Sequence, residues 1–217
     1  MATRSDRRAA TRIVLIRHAE SVHAHQGVIA DVAGCRGLTA AGFHQAQRLA
    51  ARVHHTGELA DCTALLCSPV LRARQTAEAL VRVLPVTSLQ ADSNLCEVRP
   101  GEADGLTWAA YRARYGAFDL LAAPDRPFAP GGESWTQFVR RVQATVQHLA
   151  ERFAGQTVVA VTYAGFIVVS VLALFDIPRP GTGARIDPGH TSLTAWSRTA
   201  GTWRLERFND AYHLLTR

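Results

Sequence analysis

Three stretches of this chain are apolar almost without interruption: "RIVLIR" (12–17), "CTALLCS" (62–68) and "TVVAVTYAG" (157–165). None shows the one-in-two alternation of a strand with one wet face, so each must be covered on both sides. Each is also followed by a segment with helical spacing. Strands buried on both faces and alternating with helices form a mostly parallel sheet with helices on both faces, an α/β fold. The spacing predicts a helix over 38–56, with Thr39 as N-cap and Ala46, Leu49 and Val53 on its buried side. A second is expected over 69–84, with Pro69 in its first turn. A third covers 135–153 after a Gly-Gly turn, and a buried fourth covers 166–175. Two late strands, 191–198 and 203–209, are joined through Thr199–Thr202.

Between about 97 and 134 the alternation breaks. Gly, Pro and aromatic residues (Trp108, Tyr111, Tyr115, Phe118) accumulate there, and the segment reads as a small inserted lid. Residues 1–11 read as a loose basic tail, leaving 12–217 as a single domain. The tail lacks the apolar core of a signal peptide, and no apolar run is long enough to span a bilayer, so a cytoplasmic location with no membrane partner is expected.

The net charge is +6, and all of the basic side chains are arginine; lysine is absent. The arginines are spread along the chain rather than gathered, which argues against nucleic acid and leaves a small anionic ligand open. Cys35, Cys62, Cys67 and Cys96 have neither CxxC nor zinc-ligand spacing and read as reduced, mostly buried thiols; no metal is expected. A second copy of the chain, in a homodimer, is an open alternative as partner.

In open parallel sheets ligands bind beyond the carboxyl ends of the strands. The first apolar run ends at Arg17-His18, the second at Ser68 with Arg72 just inside its helix, and the third at Thr162-Tyr163-Ala164-Gly165. If these strands are neighbours, Arg17, His18 and Arg72 meet. Two guanidiniums that keep their charge suit a dianionic phosphate. An imidazole between them loses its proton more easily and is a nucleophile at pH 7. Each residue alone has an ordinary reading: a strand-end arginine, a satisfied histidine, a solvated helix arginine.

The set resembles the histidine phosphatase superfamily, the phosphoglycerate-mutase-like proteins. "LIRHAES" is similar to its Arg-His-Gly/Ala-Glu signature, "LTAAGFHQA" to Leu-Thr-x-x-Gly-x-x-Gln-Ala, and "SPVLRARQTAEAL" to Ser-x-x-x-Arg-Ala-x-Gln-Thr-Ala. "LCEVRPGEADGLT", "PGGESWTQFVRRV" and "FNDAYHL" follow in the family's order, so the resemblance spans about 12–214. It implies His18 as the nucleophile that takes a phosphoryl group and Arg17 and Arg72 as phosphate ligands, with Ser21 beside them. It implies Glu97, on the lid, as the acid that protonates the leaving oxygen and then the base that activates water. An alternative for Glu97 is a salt bridge to an arginine. No cofactor is implied.

The resemblance fails at one place. Where the family's third strand ends in His-Gly, this chain has Tyr163-Ala164. The missing histidine stabilises charge growing on the phosphoryl oxygens, and loss of one such group costs about 3–4 kcal/mol. The Asn that often follows six residues after the nucleophile is Ala24. His190, in "PGHTSL", is the expected substitute, with a turn-capping or backbone-binding role as its alternative; His23 and His25 lie in the loop after the nucleophile. Two functions follow. One is a cofactor-independent phosphatase of a small phosphorylated metabolite, working through a phosphohistidine and slowed or specialised by Tyr163. The other is a diverged pocket that binds an anion or runs a different reaction.

Overall fold

The computed structural model describes residues 10–117, 122–177 and 184–215. Its sheet has six strands in the order β3-β2-β4-β1-β5-β6. The strands are β1 (Thr11–Arg17), β2 (Cys62–Cys67), β3 (Leu89–Ala91), β4 (Thr157–Thr162), β5 (Leu193–Thr199) and β6 (Thr202–Asp210). The first four in that order run parallel; β5 and β6 are antiparallel additions beside β1. The helices are α1 (Val22–Gln26), α2 (Ala40–Thr56), α3 (Leu71–Val81), α4 (Trp108–Tyr115), α5 (Trp135–Arg152) and α6 (Ala164–Leu174).

Burial follows strand position. Every residue of the central β4 is buried, whereas the edge strand β6 alternates between exposed and half-buried. That alternation leaves Arg204 and Glu206 exposed, where charge discourages pairing with another chain. Two helix pairs, α2 with α3 and α5 with α6, flank the sheet. On α2 the buried side is Gly42, Ala46, Leu49 and Val53, and Thr39 caps its first turn through Gly42 N–H at 2.9 Å. α5 starts with a reciprocal cap between Ser134 and Gln137.

Several details depart from the sequence reading. The second helix begins at Leu71 with Val70 as N-cap, so Pro69 stands before the helix rather than in it. Thr11 belongs to β1, and the part of the expected tail up to residue 9 lies outside the described residues. β4 stops at Thr162 and α6 starts at Ala164, which makes Tyr163 the N-cap. The lid segment contains a helix, α4, in which Tyr111 is the one buried residue. Phe118 lies outside the described residues.

The motif residues act mainly on the loop that follows β1. Gln45 of α2 accepts Glu20 N–H at 2.8 Å, Thr76 of α3 accepts Ala19 N–H at 3.0 Å, and Gln75 accepts Leu38 N–H at 2.9 Å. Gly42 has no side chain because a Cβ there would collide with the Glu20 carbonyl. At the far end, Asn209 accepts Gly189 N–H at 2.6 Å and His213 Nε2 meets Thr191 Oγ1 at 2.8 Å, so the last motif holds the turn that carries His190. The loops on both sides of the β1 carboxyl end are therefore fixed by side chains from distant helices and strands. A loop fixed in this way can carry precise chemistry.

Candidate active site

β4 lies between β1 and β2, so the carboxyl ends of the three apolar strands are adjacent. Arg17 ends β1, His18 follows it, Arg72 stands in the first turn of α3 after β2, and Tyr163 follows β4. These side chains, with Ser21, Glu97 and His190, line one cavity of about 590 Å³. All seven residues singled out in the sequence thus meet.

His18 is buried. Its Nδ1 lies 2.7 Å from the Ala19 carbonyl oxygen, which accepts but cannot donate, so Nδ1 carries the proton and Nε2 the lone pair. Arg72 Nε donates to that Nε2 at 3.3 Å. The imidazole titrates well below the ordinary histidine value. Burial is the larger cause, followed by the charge of Arg72, with Arg17 and His190 adding to it and the Ala19 contact opposing. The like-charge effect read from the sequence is present but second to burial.

Arg72 is buried and also donates from Nη1 to the Ala30 carbonyl at 2.9 Å. Arg17 Nη1 donates to the Pro188 carbonyl and reaches Asp187 at 3.4 Å, while its Nε is buried without a hydrogen-bond partner among the described residues. A buried guanidinium N–H with no partner is costly and suits an anion.

Glu97 makes no ion pair among the described residues; its carboxylate accepts Gly165 N–H at 3.0 Å and Val98 N–H at 3.3 Å. Burial raises its pKa, against the opposing pull of Gly165 N–H, Arg72, Val98 N–H and Arg141. Glycine at 165 leaves room for the Glu97 carboxylate, which a Cβ would force to shift. The segment carrying Glu97 is held by Arg141 of α5, which donates to the carbonyls of Asn94 (2.6 Å), Cys96 (3.0 Å) and Glu97 (3.0 Å) and pairs with both oxygens of Glu133 at 2.7 Å. Nothing in the sequence alone marked Arg141; one arginine of a pair on a helix carries no signal of its target.

Tyr163 is buried, and its hydroxyl turns away from the cavity to Ser68 Oγ at 2.8 Å; Ser68 in turn meets Cys96 Sγ at 3.1 Å. The ring stands edge-on to His18, centroids 5.2 Å apart, and the Arg72 guanidinium carbon lies 4.5 Å from its centroid. The ring therefore supports Arg72 through its π-face and does not come between Arg72 and His18. Burial raises the phenol pKa. His190 lies with its ring centroid 5.8 Å from that of His18, in the turn before β5 rather than in the strand. Its pKa falls to about 4, through burial first and Arg17 second. His23 stands 6.5 Å from His18, accepts or donates at Ser21 Oγ (2.9 Å), and is likewise lowered to about 4 by burial and Arg72. Ser21 is thus placed in the cavity wall but is engaged by His23. His25 instead pairs with Glu20, 3.1 Å away.

Of the lid aromatics, Trp108 lines the cavity with Phe128, which the sequence did not single out. Tyr111 is buried in the lid's own cluster, its hydroxyl donating to the Phe128 carbonyl at 2.7 Å, and Trp135 packs on Phe138 outside the cavity. The four cysteines are free and buried. Among the described residues no His, Cys, Asp and Glu side chains gather as a metal site, and no helix is long and apolar enough to cross a membrane.

A model of the histidine phosphatase superfamily (branch 1) matches residues 13–211. The chain belongs to the histidine phosphatase superfamily. Its relatives include phosphoglycerate mutase-like protein 4 of Arabidopsis thaliana, 25% identical over 93% of this chain and 86% of the relative. Another is a metal-independent phosphoserine phosphatase of the same plant, 27% identical over 94% and 83%. Among solved structures, Bacillus stearothermophilus YhfR superposes with a TM-score of 0.79 at 27% identity, covering 94% of this chain and 99% of that one. The superfamily fold is what the motif order implied.

Proposed function

We propose that this protein is a cofactor-independent phosphatase of a small phosphomonoester, acting through a phosphohistidine at His18. The observation that carries the reading is the pair of contacts on one ring: Nδ1 tied to the Ala19 carbonyl, and Nε2 unprotonated and accepting from a buried arginine at 3.3 Å. A dianionic phosphoryl group drawn between Arg17 and Arg72 presents its phosphorus to Nε2. The N–P bond forms as the P–O bond to the leaving alcohol breaks, and Glu97, whose pKa burial raises, passes its proton to that oxygen. Glu97, now a carboxylate, takes a proton from water as the water oxygen attacks phosphorus; the N–P bond breaks and inorganic phosphate leaves. The name of the plant phosphoserine phosphatase relative supports a small phosphomonoester as substrate.

His190 takes the place of the absent second histidine in this reading. It is neutral in the free protein because of burial and Arg17. An arriving dianion offsets the arginine charge and favours its protonation, which adds a cation where the phosphoryl oxygens gain charge. The test is rapid acid-free quenching during turnover of a radiolabelled ester. Label stable to alkali, labile to acid and located at residue 18 is the expected result; turnover without any such adduct would end the proposal.

A second reading, a pocket that binds anions without hydrolysing them, draws on Tyr163, which the resemblance sets in place of the second histidine. Restoring histidine with Tyr163→His and Ala164→Gly adds a stabiliser of about 3–4 kcal/mol. It also removes the ring under Arg72, about 1 kcal/mol, and the hydroxyl bond to Ser68, about 1 kcal/mol. The first acts on the transition state, so kcat should rise by a factor of about several hundred; the other two are present in ground and transition state alike and lower stability instead. A double variant with no more turnover than the parent would favour the binding-only pocket.

A further inference from the structure

Asp31 places a carboxyl group in the wall of a cavity built around anion-binding groups. Its loop is fixed: the Asp104 carboxylate receives the backbone N–H groups of Asp31 (2.8 Å), Ala33 (2.7 Å) and Gly34 (2.9 Å). Two further backbone bonds, Gly105 N–H to Ile29 O at 2.8 Å and Ile29 N–H to Leu106 O at 2.8 Å, join the same loop to the lid. Asp31 therefore cannot withdraw without unthreading that seam. Yet its own carboxylate has neither a hydrogen bond nor an ion pair among the described residues. Burial and Asp104 push its pKa up, against the opposing pull of Arg72, Arg99 and Arg141. Beside it the cavity is apolar: Ile29, Val98 and the edge-to-face pair Trp108–Phe128, centroids 5.8 Å apart.

Resting on the phosphatase reading, we infer that Asp31 selects the substrate: the ester has an apolar or aromatic body carrying a hydrogen-bond donor such as an amine, and esters bearing a carboxylate on that body are disfavoured. The phosphate is held by Arg17, Arg72 and His18 at one end. The body lies against Trp108 and Phe128, and the donor meets the fixed carboxylate. A second anion would have to meet Asp31 or turn to Arg185, which is exposed on the cavity wall.

Non-hydrolysable ligands separate recognition from catalysis. Benzylphosphonate, its 4-aminomethyl derivative and its 4-carboxy derivative share one body and differ in one charge. Calorimetry on the full chain should give the amine about tenfold tighter than the parent phosphonate, and the carboxylate about tenfold weaker. Asp31→Asn should bring both toward the parent measured in the same variant. Equal affinities for the three, the carboxylate binding tightest, or an order untouched by Asp31→Asn would overturn the selection while leaving the phosphatase reading standing. Failure of benzylphosphonate itself to bind would overturn both.

Discussion

His18→Ala should lower phosphate release by about 10⁴-fold or more, with substrate binding largely kept. When a covalent nucleophile is removed, what remains is the catalysis due to binding and charge, a small part of the whole. The two arginines hold their positions through other contacts: Arg72 through the Ala30 carbonyl and the Tyr163 ring, Arg17 through Pro188. A phosphonate should therefore still bind. His18→Asn is the companion variant, since its amide N–H can replace the Nδ1–H donor to the Ala19 carbonyl, and it guards against a folding artefact. Comparing initial rates and circular dichroism for both variants tests this directly. Turnover within tenfold of the parent in a folded His18→Asn protein would remove His18 from the chemistry.

Glu97→Gln should cost about 10²- to 10⁴-fold in kcat for alkyl phosphates, the usual weight of a positioned acid–base group. An amide cannot give up a proton at neutral pH. With p-nitrophenyl phosphate, whose leaving group needs no proton, the first step should survive and the second should stall, because water still lacks a base. A burst of nitrophenol close to one equivalent per enzyme, followed by a slow steady state, is the expected trace. The pH profile gives a second reading. The nucleophile must be neutral, so activity falls as pH drops through the His18 pKa, which lies well below the ordinary value. The acid must be protonated, so kcat/KM falls as pH rises through the Glu97 pKa, which burial raises. The optimum lies between the two, and Glu97→Gln should erase the alkaline limb alone. An alkaline limb that persists in the variant would assign it to another group.

The apolar strands, the helix spacing and the strand-end cations were legible because burial on both faces and a 3.6-residue period leave direct marks in the order of residues. The small elements were not. β3 is three residues long, α1 buries nothing, and α4 buries Tyr111 alone, so none writes a pattern strong enough to read. Within the site, His18, Arg17 and Arg72 could be brought together from topology. The direction of the Tyr163 ring could not, since it depends on Ser68 offering a partner on the side away from the cavity. Asp31 and Arg141 were invisible for a similar reason: their targets are a pocket and three carbonyls assembled from distant parts of the chain. Pro69 misled because a proline next to a helix start is equally at home one step outside it.

The buried row from phenol to hydroxyl to thiol, Tyr163 to Ser68 to Cys96, ties the neighbour of the nucleophile to the neighbour of the acid. Each of these groups is satisfied by the next, so they do not change independently. Exchanging Tyr163 first strips Ser68 of its nearest partner, whereas exchanging Ser68 first strands a phenol in the interior. The order of exchanges is therefore constrained: a change at position 163 alone leaves the hydroxyl and thiol behind it to be rearranged.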